Sequence, residues 1–298
     1  MGKIAFVFAG QGAQYPGMGQ ELAQCSPAAA EIFAKLDALR PGTSAQCFGG
    51  TDEELKETKN TQPCMFAVEL AAAAALEEGG LRADMAAGFS LGEIGALTYT
   101  RAVDLETGFH LVCRRGELMQ AAAEEQPTAM AAVLKLSNEE VEQICAQFAQ
   151  VYPVNYNCPG QVSVACAKEQ LAPFSAAVKA AGGRALPLKV RGGFHSPFMA
   201  TAAQGFAQVL EECRVGQPEM PLYSNRTGAV YEGDPKPLLS QQIASPVRWE
   251  TIVRNMIAAG ADTFVELGPG KTLCGLIEKI DKTVKTYALS TQADLETI

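Results

Sequence analysis

Residues 87–93 read Ala87-Gly88-Phe89-Ser90-Leu91-Gly92-Glu93, a Gly-x-Ser-x-Gly pattern that joins a short apolar run, Met85 to Ala87, to a helical pattern. Strand, sharp turn, helix is the shape it predicts. In such an elbow the glycines remove Cβ atoms where the chain folds back, and the serine hydroxyl is left exposed in a strained turn at the top of a sheet. Ser90 is therefore a candidate nucleophile. The same stretch also reads as an ordinary strand-to-helix connection with Ser90 as the helix N-cap.

Upstream, Lys3 to Ala9 is rich in Phe, Val and Ile and alternates little, which suits a buried strand of a parallel sheet. Gly10-Gln11-Gly12 follows at once. A dinucleotide fingerprint would need a glycine where Tyr15 stands, so the segment is either a tight turn or a turn whose backbone N–H groups approach a ligand. Helical periodicity marks 28–39 and 62–78, and Asp104 caps a helix running to about Ala123. In that last helix the neighbours of Arg115 three and four places away are Leu111, Val112, Leu118 and Met119, all apolar. Its guanidinium thus leaves from the inward face. A buried arginine needs an anion, either from an internal salt bridge or from a substrate carboxylate, unless the side chain snorkels out to water.

Between about Thr128 and Val190 the pattern becomes strand, helix, strand, strand, helix, strand, with Ser137 and Glu140 forming a capping box at the first helix. This is the ferredoxin-like order, read as a small subdomain inserted into a larger one. The chain re-enters the larger unit at Gly192-Gly193-Phe194-His195-Ser196-Pro197. Only two histidines exist, and His110 has the polar helical neighbours of a surface residue. His195, on a loop just before a helix, is a bystander or the imidazole base. Near the C-terminal end, Phe264 to Cys274 gives strand, glycine turn and helix; a P-loop would need glycine at Val265.

The formal net charge of −9 argues against a general nucleic-acid binder, which needs a basic footprint. Yet no Asp or Glu falls between Gln170 and Leu210, where Lys179, Arg184, Lys189 and Arg191 stand. Solvated surface charge explains them, as does a local basic face. Nine cysteines form no Cys-x-x-Cys pair and no Cys/His cluster, which fits free thiols in a reducing cytoplasm and no metal site. The N-terminal apolar run is too short for a signal peptide, and Phe6 stands where a myristoylation signal wants Ser or Thr. The alanine-rich run Met65 to Leu76 contains Glu69 and reads as a buried helix, with no membrane span expected.

Taken together, FAGQGAQ at 8–14, GFSLGE at 88–93, RRGELMQ at 114–120, NYNCPGQ at 155–161, GGFHSPFM at 192–199, QIASPVRW at 242–249 and ELGPGKTL at 266–273 resemble the malonyl-CoA:acyl carrier protein transacylase family. That family also holds the acyltransferases of polyketide synthases. The resemblance implies an α/β fold: an α/β-hydrolase-like large domain, residues 1–126 and 192–298, with an inserted ferredoxin-like small subdomain at 127–191. It implies Ser90 as nucleophile, His195 as base, Gln11 with the Leu91 backbone N–H as oxyanion hole, and Arg115 as partner of the malonyl carboxylate. Asn155 and Gln242 match supporting polar positions, Gln242 through a backbone carbonyl that holds the histidine. The implied reaction passes malonyl from malonyl-CoA through an acyl-serine to the phosphopantetheine thiol of acyl carrier protein, with no bound cofactor and a monomer expected. A free-standing polyketide acyltransferase, a thioester hydrolase and a non-catalytic protein that docks carrier protein are the alternatives. Carrier proteins are acidic, so Lys179, Arg184, Lys189 and Arg191 are the candidate docking face. The chain departs from the family's pattern at Ala9, Phe89 and Phe198, all expected near the acyl pocket.

Overall fold

The computed structural model describes residues 2–190 and 192–298. The N-terminal run forms strand β1 (Lys3–Phe8), and the run before the elbow forms β2 (Met85–Gly88). Strands β3 (Thr128–Leu134), β4 (Val151–Cys158), β5 (Gln161–Ala167) and β6 (Arg184–Pro187) follow, then β7 (Leu222–Tyr223), β8 (Ala261–Leu267) and β9 (Lys285–Leu289).

Two separate sheets result. One has the order β7-β2-β1-β8-β9 and is parallel throughout; the other has the order β4-β5-β3-β6 and is antiparallel. The unbroken apolar run of β1 follows from burial on both faces. Side chains alternate across the sheet, so Phe6 and Phe8 join one apolar cluster while Ala5 and Val7 join another. The first cluster is covered by the helices Pro27–Leu39, Thr58–Glu78, Leu105–Glu124 and Ala200–Glu212; the second by Trp249–Ala258 and Thr272–Ile280.

Register places the working end. Phe8 pairs with Gly88 on one side and Leu267 on the other, so the turns after β1, β2 and β8 emerge side by side at the carboxyl edge of the sheet. Open parallel sheets bind ligands at that edge. The antiparallel sheet carries the helices Asn138–Cys145 and Leu171–Ala180 over a small core of its own, including Val141, Val162 and Phe174. It is tied to the rest by β4, whose Val154 carbonyl accepts from Val247 N–H at 2.8 Å while Tyr156 N–H donates to Val247 O at 2.9 Å.

Differences from the sequence reading are local. The helix read at 62–78 begins a turn earlier, at Thr58, and runs through Pro63, whose missing N–H leaves the Lys59 carbonyl without its i→i−4 donor. The helix opened by the Ser137 capping box ends at Cys145, and strand β9 and the short helices Thr43–Gly49 and Asp52–Lys56 carried no periodicity long enough to read. No helix among the described residues is long and apolar enough to cross a membrane.

Candidate active site

The elbow forms because both of its glycines are sterically required. A Cβ on Gly88 would overlap the Gly92 backbone, and one on Gly92 would overlap the Phe8 and Ala9 carbonyl oxygens. Between them Ser90 is left at φ 56°, a left-handed conformation that costs a non-glycine residue about 1–3 kcal/mol. Three side-chain bonds hold it there. Ser90 N–H donates to Asn225 Oδ1 at 2.7 Å, Asn225 Nδ2 donates to Gly88 O at 2.6 Å, and Gln242 Nε2 donates to Ser90 O at 2.7 Å.

His195 reaches the serine from the loop ahead of Pro197. Its Nε2 lies 2.7 Å from Ser90 Oγ, and its Nδ1 lies 3.0 Å from the Gln242 carbonyl. A carbonyl can only accept, so Nδ1 carries the proton and Nε2 presents a lone pair to the serine hydroxyl. Burial, reinforced by the nearby Arg115 charge and opposed by the Gln242 carbonyl, pushes the imidazole down to about 4. It is therefore neutral at neutral pH, the state in which an imidazole can accept a proton.

Arg115 is the other occupant of this pocket, with only 1% of its surface exposed. Its Nη1 donates to Gln62 Oε1 at 2.8 Å, and its Nη2 to Gln242 Oε1 at 2.8 Å and to Ser90 Oγ at 3.3 Å. No carboxylate pairs with it among the described residues, and its Nε is buried without a partner. Burial lowers its pKa to about 10. Neither an internal salt bridge nor snorkelling accounts for the guanidinium; two neutral amides orient a buried cation against the Ser90 hydroxyl. Its neighbour Arg114 lies on the exposed face and pairs with Glu117, as the helical spacing requires.

The turn after β1 lies beside the elbow, since a Cβ on Gly10 would come 2.8 Å from the Phe89 ring. Neither the Gln11 nor the Leu91 N–H finds an acceptor among the described residues, and the Gln11 carboxamide makes one long contact, 3.5 Å to Thr58 Oγ1. Asn155 makes no hydrogen bond to Ser90, His195 or Arg115. It pairs with Val247 in a parallel bridge, five positions past Gln242, and its Oδ1 is buried with no partner. Phe89 packs edge-on against Trp249 at 5.5 Å, and Phe198 against Tyr152 at 5.5 Å. Lys179, on the helix Leu171–Ala180, Arg184, at the start of β6, and Lys189, just past its end, are all exposed; Arg191 lies outside the described residues. His110 is exposed on its helix. All nine cysteines are free, and no cluster of His, Cys, Asp or Glu among the described residues could hold a metal ion.

Sequence reasoning missed Gln62 and Asn225. A signal existed for the first: Gln62 shares its helix face with Met65, Phe66 and Glu69 among buried residues, an expensive place for an unpaired amide. Asn225 lies just beyond a two-residue strand, and its spacing from Ser90 says nothing of their contact.

The family model for the acyl transferase domain matches residues 5–293. The malonyl CoA-acyl carrier protein transacylase of Bacillus subtilis is 38% identical, with 100% of this chain and 96% of that protein covered. A crystal structure of the malonyl CoA-acyl carrier protein transacylase from Clostridium perfringens superposes with a TM-score of 0.96 at 34% identity, covering 99% of this chain and 95% of that one. A malonyl-transacylase in complex with its type II polyketide synthase acyl-carrier protein superposes with a TM-score of 0.95 at 36% identity, covering 99% and 98%.

Proposed function

The chain belongs to the acyl transferase domain family, and from that premise we propose that it moves a malonyl group from malonyl-CoA to the phosphopantetheine thiol of acyl carrier protein through Ser90. The enzyme is a malonyltransferase. The observation that carries the assignment of roles is the shared oxygen: Ser90 Oγ lies 2.7 Å from a neutral imidazole and 3.3 Å from a buried guanidinium that has no carboxylate of its own.

Serine is a poor nucleophile at its free pKa, so His195 Nε2 takes the hydroxyl proton as Oγ bonds to the thioester carbon. The developing oxyanion is received by the unpaired N–H groups of Leu91 and Gln11; a donor of this kind typically contributes roughly a hundred- to a thousandfold in rate. The carbon–sulfur bond breaks and His195 returns the proton to the coenzyme A sulfur. The carrier thiol then gives its proton to His195 and attacks the acyl carbon, and Ser90 leaves with that proton. Atoms and protons balance with these residues and two thiols, so the reaction calls for no bound cofactor. Arg115 holds the malonyl carboxylate, which would complete its bonding. An acetyl group would leave the charge unpaired. Gln242 serves three partners at once: base, cation and nucleophile backbone.

The parallel unit, residues 1–126 with 192–298, we read as an α/β-hydrolase-like domain, supported by the elbow at the carboxyl edge of the sheet. The unit at 127–191 we read as a ferredoxin-like insertion, supported by its element order and its β4-β5-β3-β6 sheet. The free thiols favour a reducing cytoplasm, and the product would supply extender units for fatty acid synthesis. Exposed Lys179, Arg184 and Lys189 form the docking face for the acidic carrier, with Arg191 assigned from sequence alone. Initial rates at varied malonyl-CoA and carrier protein test the reading. Parallel double-reciprocal lines are expected, and intersecting lines, or malonate release in place of transfer, would contradict it.

A further inference from the structure

Asn225 holds the nucleophile's backbone and bonds neither His195 nor Arg115. Asn225 straddles the elbow, giving a hydrogen bond to Gly88 O at 2.6 Å and taking one from Ser90 N–H at 2.7 Å. One planar amide thus spans the residues on either side of Phe89. A left-handed serine persists only where its surroundings over-determine it, and this amide, with Gln242 on the Ser90 carbonyl, does so.

Asn225 is itself aimed from behind. Its backbone N–H donates to Glu93 Oε1 at 2.8 Å, and the same oxygen accepts the Tyr231 hydroxyl at 2.8 Å. Asn225 and Glu93 are fully buried, and Glu93 Oε2 has no partner. Glu93 lies in the first turn of the helix Gly92–Tyr99 that follows the elbow, while Asn225 and Tyr231 flank the loop after β7. The carboxyl therefore locks that loop to the nucleophile's own helix. A buried carboxyl that accepts from two neutral donors and pairs with no cation in contact is a poor means of adding stability, because its desolvation is costly. Burial pushes its pKa up to about 7.

We propose that Asn225 is a positioning residue for Ser90, and that Glu93 with Tyr231 is the strut that aims Asn225, so that the elbow is held in attack geometry before substrate arrives. The proposal rests on the reading of Ser90 as nucleophile. What the strut needs is an acceptor oxygen at Oε1, not a charge. Glu93→Gln keeps that oxygen; Glu93→Ala removes it. Asn225→Ala removes both bonds to the elbow, while Asn225→Asp, nearly isosteric, replaces the donor to Gly88 O with an oxygen that repels it.

The test is the single-turnover rate of Ser90 malonylation at varied malonyl-CoA, with phosphonylation by a small fluorophosphonate as a probe that does not use Arg115. Asn225→Ala, Asn225→Asp and Glu93→Ala are each expected to lose about a hundredfold in maximal rate, the scale of an ångström-level misplacement, with half-saturation little changed. Glu93→Gln is expected to stay within a few-fold of wild type in both assays. Wild-type rates in Asn225→Asp, a loss confined to half-saturation, or Glu93→Gln as slow as Glu93→Ala would each overturn the proposal. Asn225→Asp and Glu93→Gln keep the test open should the alanine variants fail to fold. A wild-type protein that never acquires malonyl on Ser90 would bring down the nucleophile assignment and the proposal together; a malonylated wild type with an unimpaired Asn225→Asp overturns the proposal alone.

Discussion

His195 Nε2 lies 2.7 Å from Ser90 Oγ although 105 positions of chain separate them, and both residues sit at positive φ, 60° and 56°. The parallel sheet delivers the serine at its carboxyl edge, and the Gln242 carbonyl fixes the far side of the imidazole at 3.0 Å. The imidazole and the serine hydroxyl are therefore paired before substrate binds.

The acidity of that pair sets the pH profile. Burial and the Arg115 charge hold His195 down at about 4, and only the neutral ring can accept the serine proton. Malonylation kcat/KM is expected to stay level from pH 8 down past the ordinary histidine value of about 6.5, falling only as pH nears 4. Stability moves in the same direction: the unfolded chain binds this proton first, so the contribution is present above about 6.5 and lost as pH falls toward 4. A half-loss of kcat/KM between pH 6 and 7 in stable protein would contradict the assignment.

Arg115→Ala is expected to cost about a hundredfold in kcat/KM for malonyl-CoA, since the pocket then leaves the substrate carboxylate buried and unpaired. Acetyl-CoA, with no carboxylate to strand, should lose far less. Competition between the two thioesters measures the ratio, and an unchanged preference would remove the clamp.

Much of this was legible because it is local. The glycines of the elbow, the capping box at Ser137 and the inward face of Arg115 follow from spacing within one element, and the structure has all three. What was not legible is what the sheet brings together from afar. The Gln242 side chain bonds Arg115 and the Ser90 carbonyl, and no periodicity marks a glutamine for two such partners. Asn225 and Gln62 were hidden for the same reason. Asn155 comes from a motif match alone, and its buried Oδ1 has no protein partner.

Glu69 offers a test of the core. It is fully buried in the alanine-rich helix, neither oxygen has a partner, and Gly95 and Gly268 leave room for it. Burial raises its pKa well above the ordinary 4.5. The folded protein thus keeps a proton that the unfolded chain releases above about that pH, and stability is lost as pH rises. Glu69→Met is expected to be more stable by about 1–3 kcal/mol, with the gap wider at pH 8 than at pH 5 in urea titrations. A less stable variant at pH 8 would show that the carboxyl is satisfied.

Charge reversal at Lys179, Arg184 and Lys189 should weaken transfer to carrier protein about tenfold or more at low salt, through slower encounter, and leave malonyl-CoA loading nearly intact. Stopped-flow rates for the two half-reactions separate the effects. Equal loss in both would remove the docking face.

The most direct measurement is the intact mass of the protein after brief exposure to malonyl-CoA without carrier protein, followed by peptide mapping. One malonyl group is expected, on Ser90, absent from Ser90→Ala and discharged when carrier thiol is added. No added mass, or malonyl on another residue while Ser90→Ala still transfers, would contradict the account.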